Sequence, residues 1–60
     1  MTIYERLEKI RDAYIRNADA CRMAGLESAF EILMNDADLL TDYMEIMPIG
    51  IAGMYAGGNE

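Results

Sequence analysis

"LESAFEILMNDADLLTDYMEIM", residues 26–47, is the stretch of this chain in which apolar side chains are spaced most regularly. They recur in alternating steps of four and three, which places them on one side of an α-helix. These positions are Leu26, Phe30, Leu33, Ala37, Leu40, Met44 and Met47. The spacing continues unchanged through "NDAD" at 35–38, so it predicts one helix over 26–47 that Pro48 ends. A third helix is the alternative if the chain breaks near Asp36.

The region before this stretch carries a similar but less regular pattern, which predicts a helix over about 3–23. Thr2 and Glu5 have the spacing of a capping box at its start, and Gly25 offers a left-handed stop at its end. The apolar positions are Ile3, Leu7, Ile10, Tyr14 and Cys21, with the polar Asn17 in the same row. Asn17 either fixes the register and oligomeric state or lies exposed. The short turn between two such helices predicts an all-α antiparallel helical hairpin.

Length and composition limit what can stabilise this fold. The chain has 60 residues, which predicts a single small helical domain over 1–60 with a Gly-rich apolar tail at 48–60. Cores of this size seldom supply more than about 3–5 kcal/mol, so disulfides, metals or partners usually contribute. Cys21 is the lone cysteine and histidine is absent, so we expect no internal disulfide, no metal and no cofactor. A protein partner or a second copy of the chain therefore remains as the source of additional stability.

The same inventory argues against catalysis. Without histidine, the common general acid–base and activated-nucleophile arrangements are missing, and two paired helices enclose little volume for a substrate. Asp36 and Asp38 are close in sequence but point in different directions on a helix. Cys21 lies in the apolar row, where a buried inert thiol is expected. The sequence therefore predicts a protein that is not an enzyme.

Charge divides the chain into two unequal parts. Residues 1–22 hold all five basic and four acidic side chains, whereas residues 23–60 hold seven acidic side chains and none that is basic. The net charge of -6 opposes direct binding to nucleic acid. On the predicted second helix, Glu31, Asp38 and Glu45 are seven residues apart, with Asp42 beside them. A rigid row of carboxylates imitates part of a phosphate backbone and attracts a basic groove.

The second helix also has more apolar surface than one neighbouring helix can cover. Ile32, Leu39 and Ile46 form a further apolar row, flanked by Tyr43. Three candidates exist for its cover: the tail folded back along a non-helical path through Gly50 and Gly53, a second subunit in a four-helix bundle, or a foreign protein. The tail side chains suited to such contacts are Ile49, Ile51, Met54 and Tyr55.

These features predict a cytoplasmic protein, because no stretch resembles a signal peptide and no apolar run approaches the ~20 residues of a membrane span. The leading hypothesis is a small acidic inhibitor or adaptor that docks on a basic surface of a nucleic-acid-handling complex as a partial nucleic-acid mimic. Its contact residues would be Glu31, Asp38, Asp42, Glu45, Ile49, Ile51, Met54 and Tyr55. By analogy of size and charge alone, phage-encoded inhibitors of host machinery, including anti-CRISPR proteins, are of this kind.

Two other functions remain open at the level of sequence. One is a homodimeric helical-hairpin bundle with a structural or regulatory role, in which the acidic residues are merely solvated. The other is an acidic antitoxin that neutralises a basic toxin, which shares the electrostatics of the leading hypothesis.

Overall fold

The computed structural model describes residues 1–55, which form two long helices and one short helix. Helix α1 spans Ile3–Met23, α2 spans Glu27–Ile46 and α3 spans Ile49–Ala52. The connection over 24–26 is so short that α2 must run back along α1, and the two helices pack together over their length. The predicted all-α helical hairpin is confirmed.

Hydrogen bonds local in sequence define both ends of α1. At its start, the Thr2 hydroxyl accepts from the Glu5 N–H (3.1 Å) and the Thr2 N–H donates to the Glu5 carboxylate (2.8 Å), so the predicted capping box is present. At its end, Gly25 adopts a positive φ of 80°. The N–H groups of Gly25 and Leu26 donate to the carbonyl oxygens of Arg22 (3.1 Å) and Cys21 (2.8 Å), which is a Schellman motif.

Helix α2 runs without a break through 35–38, so the alternative of a chain break near Asp36 is wrong. Its N-cap is Leu26, whose side chain makes no capping hydrogen bond, and its C-cap is Met47. The helix is therefore one residue shorter at each end than the predicted range 26–47. The Thr41 hydroxyl donates to the Ala37 carbonyl (3.0 Å), which keeps that hydroxyl paired within the helix.

The tail turns at Pro48 and returns to the start of α1. Gly50 lies inside the single turn of α3, so the prediction of a non-helical path through Gly50 is wrong. Beyond α3, the Ile3 N–H donates to the Met54 carbonyl (2.8 Å), and Thr2 and Tyr55 form an isolated antiparallel bridge. These contacts give α1 an additional partner at its first turn, where backbone N–H groups otherwise lack one.

Few side chains are fully buried in the contact between α1 and α2. The fully or nearly fully buried residues among those described are Ala18, Ala37 and Met44. Ala18, and not its neighbour Asn17, lies in the apolar seam, and Asn17 is exposed. The prediction that Asn17 continues the seam of α1 is therefore wrong, because the row steps from Tyr14 to Ala18 and then to Cys21.

The hairpin forms a single layer of helices. It measures 41 × 25 × 10 Å, and its shortest dimension is about the diameter of one helix. Its radius of gyration is 13.5 Å, compared with about 10 Å for a compact chain of this length. Within residues 1–55, no helix combines the length and the apolar character that crossing a lipid bilayer requires.

Candidate protein-binding surface

Four carboxylates project from one flank of α2, about 100° around the helix from the buried Ala37 and Met44. We call them the acidic flank: Glu31, Asp38, Asp42 and Glu45. All four are exposed, and among residues 1–55 no ion pair reaches any of them. Because α2 is unbroken, residues seven apart are separated by about 10 Å along its axis. That spacing is close to the axial rise of three nucleotide steps of one strand.

The acidic flank is placed where it weakens its own helix. Asp38 and Asp42 are four residues apart and Asp42 and Glu45 are three apart, so each pair brings like charges together. Asp42 and Glu45 also lie near the C-terminal end of α2, where exposed carbonyl groups favour cations, and the last turn holds no basic residue. The sequence supplies no local compensation for these carboxylates.

The tail side chains lie beyond the end of α2 that carries Glu45. Ile49 is 91% exposed, and Ile51, Met54 and Tyr55 are also exposed. Their backbone is fixed against the first residues of α1, by the hydrogen bond from Ile3 to the Met54 carbonyl and by the bridge to Thr2. The structure thus presents these apolar side chains to solvent from an anchored segment.

The apolar row of Ile32, Leu39 and Ile46 stays uncovered by the described part of the tail, with exposed fractions of 62%, 55% and 76%. The prediction that Ile49, Ile51, Met54 and Tyr55 fold back over this row is therefore wrong for the residues described. The physical reason is that Pro48 directs α3 toward α1, with which α3 makes its main contacts.

An apolar groove of about 300 Å³ lies beside this row, between the two long helices. It is lined by Ile10, Tyr14, Asp36, Leu39, Leu40 and Tyr43. The sequence pattern places Ile10 and Tyr14 in the buried seam of α1, but in the structure both line this open surface. The sequence signal for this surface position is Ala18, because a seam that passes through Ala18 turns Ile10 toward one broad side of the layer.

The opposite broad side of the layer is more polar. Arg11 pairs there with Asp12 (3.2 Å) and Glu8 (3.9 Å), and the guanidinium of Arg22 lies 5.9 Å from the ring centre of Phe30. The two broad sides of the hairpin therefore differ, since one carries ion pairs and the other carries the apolar groove.

The residues considered for chemistry do not come together. Asp36 lines the groove while Asp38 is exposed on the acidic flank, as expected for residues about 200° apart on a helix. Cys21 is a half-buried free cysteine. Within residues 1–55, no group of three or more Cys, Asp or Glu side chains is arranged to hold a metal ion. The groove is a shallow, open feature, and Asp36 is the one charged residue in its lining.

Comparison with known proteins assigns no family to this chain: no protein-family model matches it, and neither a curated protein nor a solved structure shows significant similarity.

Proposed function

We propose that this chain is a non-catalytic inhibitor or adaptor that docks on a basic protein surface built to hold nucleic acid. The acidic flank would face the lysine and arginine side chains of that surface. The exposed tail side chains Ile49, Ile51, Met54 and Tyr55 would supply apolar anchor contacts at one end. This division follows a general rule of interfaces, in which charge steers association and buried apolar groups provide much of the affinity.

The observation that carries this proposal is the uncompensated charge of the acidic flank. A sequence specifies its fold best when local choices agree with it, and exceptions concentrate at functional sites. Asp38, Asp42 and Glu45 repel one another, and Asp42 and Glu45 also oppose the dipole of α2. A basic partner would relieve that repulsion, so the carboxylates that destabilise the free protein would favour the complex.

The proposal places the action of the protein in the cytoplasm, beside complexes that handle nucleic acid. It also extends the analogy of size and charge with phage-encoded inhibitors such as anti-CRISPR proteins. In that role the chain would act stoichiometrically, by occupying a groove in place of DNA or RNA.

The first experiment asks whether a partner is captured through its nucleic-acid site. The chain is immobilised, incubated with nuclease-treated bacterial lysate, and eluted with a short DNA duplex. We expect the duplex to release the bound partner, because both ligands would occupy one basic groove. The triple variant Glu31→Lys, Asp38→Lys, Glu45→Lys should bind that partner on the order of 100-fold more weakly. Binding that survives this charge reversal at low salt contradicts the proposal.

The second experiment separates binding from folding. Asp42→Lys replaces the repulsion from Asp38 with an attraction between Asp38 and the new ammonium group, and it places a cation near the end of α2. We expect the free energy of unfolding to rise by about 0.5–1 kcal/mol while partner binding falls. The matched control is Asp19→Lys, the same charge change at an exposed site on α1, which should leave binding much less affected. If both variants weaken binding equally, net charge and not the acidic flank is responsible.

A further inference from the structure

The groove side of the hairpin is an extended apolar surface that the acidic-flank proposal does not use. Its exposed and half-buried side chains come from both helices: Ile10 and Tyr14 from α1, and Ile32, Leu39 and Tyr43 from α2. Tyr43 is 61% exposed. The groove itself lies near the middle of both helices, since it is lined from Ile10 to Tyr14 on one and from Asp36 to Tyr43 on the other.

The dimensions of the molecule show that the described residues form no second layer of helices over this side. Helical domains normally consist of at least two packed layers, whereas this hairpin is a single layer 10 Å thick. With lateral dimensions of 41 × 25 Å, each broad side offers about 1000 Å², against about 800 Å² per partner in a standard stable interface. The chain also exposes 4518 Å², compared with about 4000 Å² for a compact monomer of its mass.

We propose that a second copy of this chain covers the groove side, giving a four-helix bundle in which α1 of each copy stacks on α2 of the other. A two-fold axis parallel to the helices produces this arrangement and makes every stacked pair antiparallel. At the same time it brings each Ile10 opposite Leu39 of the other copy, because these residues face each other at one level of the groove.

Charge favours this stacking over the alternative in which like helices meet. The range of α1 carries five basic and four acidic side chains, whereas the range of α2 carries six acidic side chains and none that is basic. Stacking α1 on α2 therefore places a weakly positive helix against a strongly negative one, while stacking α2 on α2 would bring twelve carboxylates together.

The dimer leaves the acidic flank accessible, so the two proposals are independent. Asp38 and Leu39 are adjacent in sequence and about 100° apart around α2. Burying Leu39 against a second copy keeps Asp38 at the edge of the bundle, in solvent. A dimer would display two acidic flanks, one on each side.

Sedimentation equilibrium of the full chain from about 1 μM to about 1 mM tests the proposal. We expect a species of twice the 6.8 kDa chain mass and a melting temperature that rises with protein concentration. A folded species of 6.8 kDa throughout, with a melting temperature independent of concentration, overturns the proposal. Because this test uses the wild-type protein, it distinguishes a dimer from a monomer even if a variant fails to fold.

Matched variants then identify the surface. Leu39→Glu places a charge in the groove side and should raise the dimer dissociation constant at least about 100-fold. Ala20→Glu adds the same charge at an exposed site about 200° around α1 from the buried Ala18, and should remain dimeric. If Leu39→Glu also stays dimeric, the interface lies elsewhere. The triple charge reversal of the acidic flank should keep the dimer, which distinguishes failure of one proposal from failure of the other.

Cysteine cross-linking determines how the helices stack. In a Cys21→Ala background, Ile10→Cys and Leu39→Cys are made as separate proteins, mixed and oxidised. The proposed arrangement predicts a disulfide between the two different variants, because formation requires Cα atoms within about 7 Å. Preferential cross-linking of Ile10→Cys to itself would show α1 stacked on α1 and overturn the arrangement.

Discussion

Helices α1 and α2 have nearly equal lengths but differ in how well the residues at their own ends stabilise them. Helix α1 starts with a capping box, ends with a Schellman motif and carries Arg22 in its last turn. Helix α2 starts at Leu26 without a side-chain cap and ends among carboxylates with no basic residue. The difference indicates that α1 is stabilised by its own sequence, whereas α2 depends more on its packing against α1. Four substitutions test this contrast, three of them with a matched control.

The largest expected effect is at Met44, a buried residue of α2. Met44 is 5% exposed, so Met44→Ala removes a buried side chain and should lower the free energy of unfolding by about 2–3 kcal/mol. Met23→Ala, the same change at a position 83% exposed at the end of α1, should alter it by less than about 0.5 kcal/mol. Urea denaturation measures both. If both variants lose the same free energy of unfolding, burial of Met44 between the helices is not the cause of its effect.

A smaller effect is expected at the junction of the two helices. Gly25 has a φ of 80°, which an L-residue with a side chain rarely adopts, although no atom lies within 4 Å of an added Cβ. Gly25→Ala should therefore lower the free energy of unfolding by about 1 kcal/mol through backbone strain alone. Gly50→Ala is the matched control, because Gly50 lies in α3 with negative φ and open space around it. Thermal denaturation should show that Gly50→Ala is neutral or slightly stabilising, and a loss there would contradict the argument.

The smallest effect concerns the capping box that α1 has and α2 lacks. Thr2→Ala should lower the free energy of unfolding by about 0.5–1 kcal/mol. Ser28→Ala, near the start of α2 where no side-chain cap exists, should change little. Circular dichroism during urea unfolding compares the two variants. A loss as large for Ser28→Ala would show that α2 is also capped by its own side chains.

The capping box further predicts a dependence on pH. Hydrogen bonds from the Thr2 backbone N–H, and then from its side chain, lower the pKa of Glu5 below its ordinary 4.5. Since the unfolded chain binds the proton more readily, this contribution is present above pH 4.5 and disappears as the pH falls through the lowered pKa. Glu5→Gln should flatten that part of the stability profile, because an amide keeps the box without titrating. If Glu5→Gln leaves the dependence of stability on pH unchanged, titration of Glu5 is not its cause.

Local sequence signals predict the two long helices, their approximate ends and the layout of charge. Helical hydrogen bonds and caps join residues no more than about five positions apart, so Thr2, Glu5, Gly25 and Pro48 act locally and can be identified in the chain. The exposure of Glu31, Asp38, Asp42 and Glu45 also follows, because charged residues outside the apolar row of a helix face solvent.

Which apolar surfaces are covered depends on tertiary packing, which the sequence pattern does not specify. The apolar arc of α2 is wider than one neighbouring helix, so several rotations of α1 against α2 satisfy the sequence pattern. The choice of Ala18 over Asn17 in the seam sets that rotation and leaves Ile10 and Leu39 beside an open groove. Likewise, Pro48 indicates a turn but not its direction, and only the backbone pairing of the tail with the first residues of α1 shows where it returns. Such contacts join residues about fifty positions apart, where no local rule relates one side chain to the other.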